Sequence, residues 1–263
     1  MGAGGARPRV TIVSPHFDDA PLSLGQSLLD GRLSDCRVTV RVIFGRTNWT
    51  RWVHPTESRA RPIGAWRRAE ETASSVRFGY RFGADSWEES ILRTGDMDPD
   101  HFRDPNVDVD HDPLVGPIAH RIRTLRWTAD LVLVPAGIGD HIDHRIVAAA
   151  AMRLANEDPA GLAFYEDRPY VTFMDDESRA ASLRRLRLEL TPEDVSGPIR
   201  ERTHRWLRVC YPSQIDDLFV ESMVRDRERG AHEQIWFPAG STPPWTHESL
   251  GGVAPGSPSG SAA

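Results

Sequence analysis

The sequence predicts an α/β fold with a mostly parallel sheet and flanking helices. Three observations predict it. RVTIVS at 9–14 and DLVLVP at 130–135 are short, β-branched apolar runs that read as buried strands. Longer amphipathic stretches lie between and after them, with apolar residues at helical spacing. Strands alternating with helices imply parallel pairing through right-handed crossovers.

The elements follow in chain order. Strand 9–14 is bounded by Pro15, and a helix is expected over about 21–31, with Pro21 in its first turn and Gly31 near its end. Residues 37–44 (RVTVRVIF) alternate Arg and Thr with apolar residues, which predicts a strand with one wetter face. The run GRTNWTRWVHPTESRARP is long for a connection in a compact domain, and such loops often form lids or binding segments. Helices are expected over 64–78, 115–127 and 143–155, the last two flanking strand 130–135. Residues 95–113 are rich in Asp and broken by Pro, which predicts a loop with a solvated, charged surface. After about residue 160 the pattern reads as mostly helical, with Arg-rich segments at 178–188 and 199–209 and a helix near 214–229. The tail GGVAPGSPSGSAA has too little apolar content to pack and is expected to be disordered. The chain of 263 residues therefore reads as one domain over 1–250 with a tail over 251–263.

Composition narrows the function. A 39% hydrophobic and 27% charged chain fits a globular protein, and the net charge of −6 argues against broad nucleic-acid binding. Two cysteines, Cys36 and Cys210, without CxxC spacing argue against a disulfide framework or a cysteine-based zinc site. No run approaches the ~18 apolar residues of a membrane span, and MGAGGARPRV has no signal-peptide core. A soluble, cytoplasmic protein with no membrane partner is the expectation, and a homo-oligomer is compatible with it.

Two clusters carry the chemistry. In SPHFDD, His16, Asp18 and Asp19 follow the first strand; in GDHIDH, His141, Asp143 and His144 follow the second. In open parallel sheets ligands bind beyond the carboxyl ends of strands, where both clusters fall. Imidazole and carboxylate together suit zinc and other divalent transition metals. Two adjacent acids can divide the labour, one on a metal and the other taking a proton from water. One histidine of the second cluster can complete a three-ligand site, while the other serves a developing oxyanion or a leaving amine. Asp143 can fix the tautomer of an imidazole. The competing explanation is that Asp18 or Asp19 caps the helix that follows. Trp49, Trp52 and Trp66 are candidates for an aromatic wall, and Arg46, Arg51 and Arg67 for anion contacts. No GxGxxG, GxxxxGK[ST] or GxSxG run supports a nucleotide site or a serine nucleophile.

The two clusters resemble the paired motifs of the PIG-L/LmbE-like zinc-dependent N-deacetylases, an [AS]HPDDE-type run after the first strand and an HPDH-type run near mid-chain. Arg67 and Glu70 match that family's Arg-x-x-Glu helix, and FYEDRPY (164–170), YPSQI (211–215) and HEQIW (232–236) are similar to segments of its bacterial HFDD-type branch. The match spans roughly residues 9–237. It implies a Rossmann-like α/β sandwich, with His16, Asp19 and His144 on Zn2+ (or another divalent transition metal) and Asp18 as general base. It further implies His141 as oxyanion stabiliser or acid, oriented by Asp143, with Arg67 near the substrate. The expected reaction is hydrolysis of an N-acetyl or other N-acyl group on a small molecule such as an amino sugar. Alternatives are a related hydrolase of another amide, formyl or carbamoyl group, and a catalytically silent metal-binding module. The chain departs from the family at Phe17, Ala20 and Ile142, which stand for Pro, Glu and Pro, and at Glu89, which stands for an Asp.

Overall fold

The structure, a computed structural model, describes residues 6–245; the tail expected over 251–263 lies outside the described residues. Strand β1 (Arg9–Ser14) is buried from its second residue on, as its unbroken β-branched run requires. Helix α1 (Asp19–Asp30) follows and is buried from Asp19 to Leu28. Strand β2 (Arg37–Val42) turns Val38, Val40 and Val42 inward and leaves Arg37 and Thr39 exposed, the one wetter face that alternation predicts. The long loop after it ends in α2 (Ala60–Phe78), which starts four residues before the expected helix and closes on the left-handed Gly79.

Strand β3 (Arg81–Ala84), helix α3 (Ser90–Thr94), helix α4 (Val115–Arg126), strand β4 (Leu131–Pro135) and helix α5 (Ile142–Glu157) come next. The C-terminal third is less helical than its pattern reads. Alongside helices α6 (Asp176–Arg184), α7 (Glu201–Cys210) and α8 (Asp217–Glu228) it holds three strands: β5 (Leu162–Tyr165) before α6, β6 (Leu190–Asp194) between α6 and α7, and β7 (Gln234–Pro238) after α8. These strands have four or five residues each, too few to show a period, and β6 carries Pro192 on an exposed edge.

The seven strands form one sheet in the order β3-β2-β1-β4-β5-β7-β6. Pairings from β3 through β5 are parallel, and β7 runs antiparallel to both β5 and β6. Helices cover both faces. Val10, Ile12, Leu131 and Leu133 pack with Leu24 and Leu28 of α1, Phe78 of α2 and Leu207 of α7. Val132, Val134 and Phe164 pack with Ile118 and Ile122 of α4 and Ile146 and Val147 of α5. The architecture is thus the Rossmann-like α/β sandwich that the motifs imply. No helix among the described residues is long and apolar enough to cross a membrane.

Phe17, in place of the family's proline, is fully buried in the first of these clusters. Truncating a core Phe costs about 3–5 kcal/mol, so its ring anchors the loop after β1. Behind that loop lies Glu71, fully buried on α2. The Tyr80 hydroxyl lies 3.0 Å from its Oε1 and the Tyr211 hydroxyl 2.5 Å from its Oε2, while Tyr211 also lies 3.2 Å from the Phe17 carbonyl. Tyr211 has one proton for two acceptors, and a protonated Glu71 resolves the conflict by donating to it. Burial pushes the Glu71 carboxyl up to about 8, against the two tyrosine hydrogen bonds.

A pH dependence follows. Between the ordinary carboxylate range and pH 8 the unfolded chain has lost this proton and the folded chain keeps it. Stability therefore falls as pH rises through that window and levels off above it. Glu71→Gln mimics the neutral acid and removes the slope. Its melting temperature should gain on wild type from pH 5 to pH 8, by on the order of a few kcal/mol of stability. Thermal unfolding at several pH values checks this, and a constant difference would refute it.

Candidate metal centre

The site is built from the ends of three neighbouring strands. After β1, the Ser14 hydroxyl donates to the His16 carbonyl (2.6 Å) and accepts the Ala20 N–H (3.1 Å). Asp19 Oδ2 accepts the His16 N–H at 2.7 Å. Asp18 occupies the cap position of α1 but makes no side-chain cap bond, so capping does not account for it. Its Oδ1 instead accepts from Arg67 Nη2 at 2.8 Å.

After β4, the chain passes through Gly139, whose φ of 92° and contact with Tyr170 exclude a side chain; a Cβ there would lie 2.2 Å from the Tyr170 ring. His141 then caps α5, its Nδ1 accepting the Asp143 N–H at 3.2 Å. His144 lies one turn into the helix and is buried.

These elements bring the rings of His16, His141 and His144 to centroid separations of 5.0, 5.3 and 5.2 Å. Asp19 Oδ2 lies 3.2 Å from His16 Nδ1 and 3.3 Å from His144 Nε2. Ligands about 2.0–2.1 Å from a tetrahedral zinc are about 3.3 Å apart, so this trio fits a divalent ion. His16, His141 and Asp143 form a second group of close donor atoms. There His16 Nε2 lies 3.1 Å from Asp143 Oδ2, so the side chain that Asp143 meets is His16, and its backbone N–H serves His141. Asp143 is held in turn by the Ser90 N–H at 2.9 Å and Arg93 at 2.8 Å.

Charge around the trio is unbalanced. Burial works against charge on His144, but Asp19 and Asp167 outweigh it and lift the imidazole to about 9; Asp19 and Asp143 likewise raise His16 against its burial. A divalent cation meets the same demand for positive charge and displaces the protons. The adjacent carboxylates are pushed apart. Burial raises Asp18 against the pull of Arg67, whereas His144 and His16 overcome burial and hold Asp19 well below the usual range. Environments that separate two neighbouring acids in this way suit one to binding and the other to proton transfer.

His16, Asp18, Asp19, His141, Arg67 and Trp49 line a cavity of about 320 Å³; Asp143 and His144 stand behind its wall. A cavity of about 390 Å³, between Arg145 and Arg184–Arg187, touches neither cluster. Trp52 and Trp66 contact each other at 5.3 Å, half exposed and away from the cavity lining. Arg46 pairs with Glu88 on the surface, and His101 and His111 pair with Asp96 and Asp108 in the acidic loop. That loop nonetheless contributes Phe102 and Arg103 to the cavity.

Several supporting residues carry no signal at the level of spacing. Glu70 accepts from the Ser213 N–H (2.9 Å) and hydroxyl (2.7 Å), which docks YPSQI and brings Gln214 to the cavity. Glu233 of HEQIW accepts the N–H groups of Gln26 and Ser27 in α1 at 2.7 and 2.6 Å. In FYEDRPY, Asp167 lies 2.6 Å from His144 and Tyr170 lines the cavity. FYEDRPY stands out in the sequence through its resemblance to the HFDD-type branch, but nothing in the run assigns its aspartate to His144.

No family model matches the chain. It is 29% identical over 228 residues to 2'-N-acetylparomamine deacetylase of Streptomyces fradiae, covering 86% of this chain and 80% of that protein. Its fold is similar to that of a deacetylase from the teicoplanin biosynthesis pathway, with a TM-score of 0.62 at 23% identity over 87% of this chain and 96% of the other. A zinc-inhibited form of teicoplanin deacetylase gives 0.61 at 21% identity, over 87% and 97%. The resemblance to the PIG-L/LmbE-like deacetylases, drawn from the two motifs, is borne out.

If Asp19 and His144 hold a divalent ion, Asp19→Ala and His144→Ala should each weaken its binding by more than about 100-fold, beyond the range for losing a supporting residue. Metal content after dialysis against a dilute chelator measures this. Wild-type occupancy in both variants would remove the trio as a metal site.

Proposed function

We propose that this PIG-L/LmbE-like chain is a metal-dependent N-deacetylase that hydrolyses the N-acetyl amide of an amino sugar. One observation carries the reading most. A carboxylate outside the ligand trio, Asp18, stands beside it on the wall of the cavity, where a water activated at the trio would lose its proton. The substrate class rests on the Streptomyces relative, which acts on an N-acetylated amino sugar, and on a cavity of about 320 Å³, near the lower end of small-molecule sites.

His16, Asp19 and His144 would hold the ion, and their nitrogen and oxygen donors fit zinc. Zinc, when bound, supplies Lewis acidity to the amide carbonyl and to the attacking water. Asp18 takes the proton of that water, with Arg67 fixing its carboxylate at 2.8 Å. His141 is poised as a neutral donor. Its Nδ1 accepts a backbone N–H, which leaves the ring proton on Nε2. That N–H stabilises the oxyanion as the carbonyl becomes tetrahedral, a contribution of roughly 2.7–4 kcal/mol in comparable sites. Asp18 then returns its proton to the leaving amine. Arg67 and Trp49 contact the substrate from the same wall. Two free cysteines, both buried, support a reducing cytoplasm as the place of work.

Metal-loaded protein should release acetate and a free amine in equal amounts from some member of a panel of N-acetylated amino sugars and aminoglycosides. Panel members carrying formyl or carbamoyl groups test the acyl preference. Asp18→Asn should keep its metal and lose about 10²–10⁴-fold in kcat. Full turnover by that variant would remove Asp18 as the base. No release from any acetylated amine by metal-loaded wild type would overturn the assignment.

A further inference from the structure

Asp167 has no part in the reaction steps above, yet it is fully buried against one of the residues that would hold the ion. It lies two residues beyond β5, in the run FYEDRPY. Its Oδ1 is 2.6 Å from His144 Nδ1, and its Oδ2 accepts the Ile138 N–H at 2.9 Å from the loop after β4. Arg168, the next residue, is pinned by Asp226 at 3.0 Å and by the His232 carbonyl at 2.9 Å. The carboxylate is therefore fixed on both oxygens and along the chain.

We infer that Asp167 is a positioning residue for the metal site, holding His144 in the tautomer that leaves Nε2 free to ligate. A neutral imidazole has one proton, and an ionised carboxylate only accepts, so the proton belongs on Nδ1. The lone pair then sits on Nε2, 3.3 Å from Asp19 Oδ2, on the side of the trio. His16 is the mirror case. Its Nδ1 faces Asp19 and its Nε2 faces Asp143, which holds the opposite tautomer. Each histidine of the trio thus carries a carboxylate on its far nitrogen, and each carboxylate is itself held by a backbone N–H. Partners of this kind orient a ligating ring and raise its basicity.

The inference rests on the trio being a metal site, but its test needs no substrate. Zinc affinity of the full chain is measured by competition with a chelating dye for wild type, Asp167→Asn and Asp167→Ala. The melting temperature of each chelator-treated protein is measured alongside. In Asp167→Asn the carbonyl oxygen accepts from Ile138 and the amide NH₂ faces Nδ1, forcing the imidazole proton onto Nε2. The flipped amide instead sets NH₂ against the Ile138 N–H. The first arrangement holds the wrong tautomer and the flipped one restores the right one only at the cost of that donor–donor contact, so zinc affinity should fall at least ~10–100-fold with the metal-free melting temperature near wild type. Asp167→Ala leaves the ring free to choose its tautomer and should lose less affinity, despite a larger loss of stability.

A packing role predicts the reverse order, because Asn is nearly isosteric and Ala is not. Wild-type zinc affinity in Asp167→Asn, or a greater loss in Asp167→Ala, would overturn the inference. Absence of deacetylation on every amino sugar would overturn the proposed activity and leave this ranking untouched.

Discussion

The parallel pairing of β1 with β4 is the constraint on which the site depends. In the order β3-β2-β1-β4-β5, the chain leaves β1 for one side of the sheet and leaves β4 for the other. The loops after these strands diverge and open a crevice at their carboxyl ends, the place where open α/β sheets bind ligands. Ser14 and Pro135 end the two strands, and His16 and His141 follow within a few residues. Two clusters separated by more than a hundred residues therefore meet because of strand order alone. β5 adds the third edge and brings Asp167 to the back of His144.

The crevice collects buried carboxylates, and burying charge without a partner costs several kcal/mol per ion. Each acid is accordingly held. Asp18 has Arg67, Asp143 has Arg93 and the Ser90 N–H, and Asp167 has the Ile138 N–H. Asp19 has the His16 N–H and two imidazoles. A further layer holds those partners: Glu70, 3.9 Å from the Arg67 guanidinium, anchors the YPSQI segment through Ser213, and Glu233 anchors α1. The outer motifs YPSQI and HEQIW are thus part of the same electrostatic arrangement as the two inner ones. Ser213 and Glu233 stay buried outside the cavity lining, while Gln214, next to Ser213, reaches it.

What was legible in the sequence divides along physical lines. β1 and β4 stand out because central parallel strands are buried on both faces and read as unbroken apolar runs. The helices that pack on them show their period. β3, β5, β6 and β7 span only four or five residues, and a period of two needs more length to register. At the site, the residues adjacent in sequence were legible as clusters, but their pairing was not. Asp143 sits beside His141 and His144 in the chain, yet its side chain turns to His16 across 127 positions. Asp167 could be valued only once β5 was known to lie next to β4.

Phe17 shows how a departure from a motif can preserve what the motif provides. A proline between histidine and aspartate stiffens the loop by fixing φ and removes a backbone donor. Phe17 has no such covalent restriction, and the loop is stiffened by packing instead. Its ring is fully buried, with the Arg68 guanidinium 5.6 Å from its centroid, and its carbonyl lies 3.2 Å from the Tyr211 hydroxyl. Rotating the loop would expose that ring and break the link to the Tyr211–Glu71–Tyr80 network behind it. The position of His16 and Asp18 is therefore tied to the hydrophobic core rather than to the torsion of one residue. The same network joins this loop to α2, the helix that carries Arg67 to Asp18, so the carboxylate and its guanidinium are positioned from one packed unit.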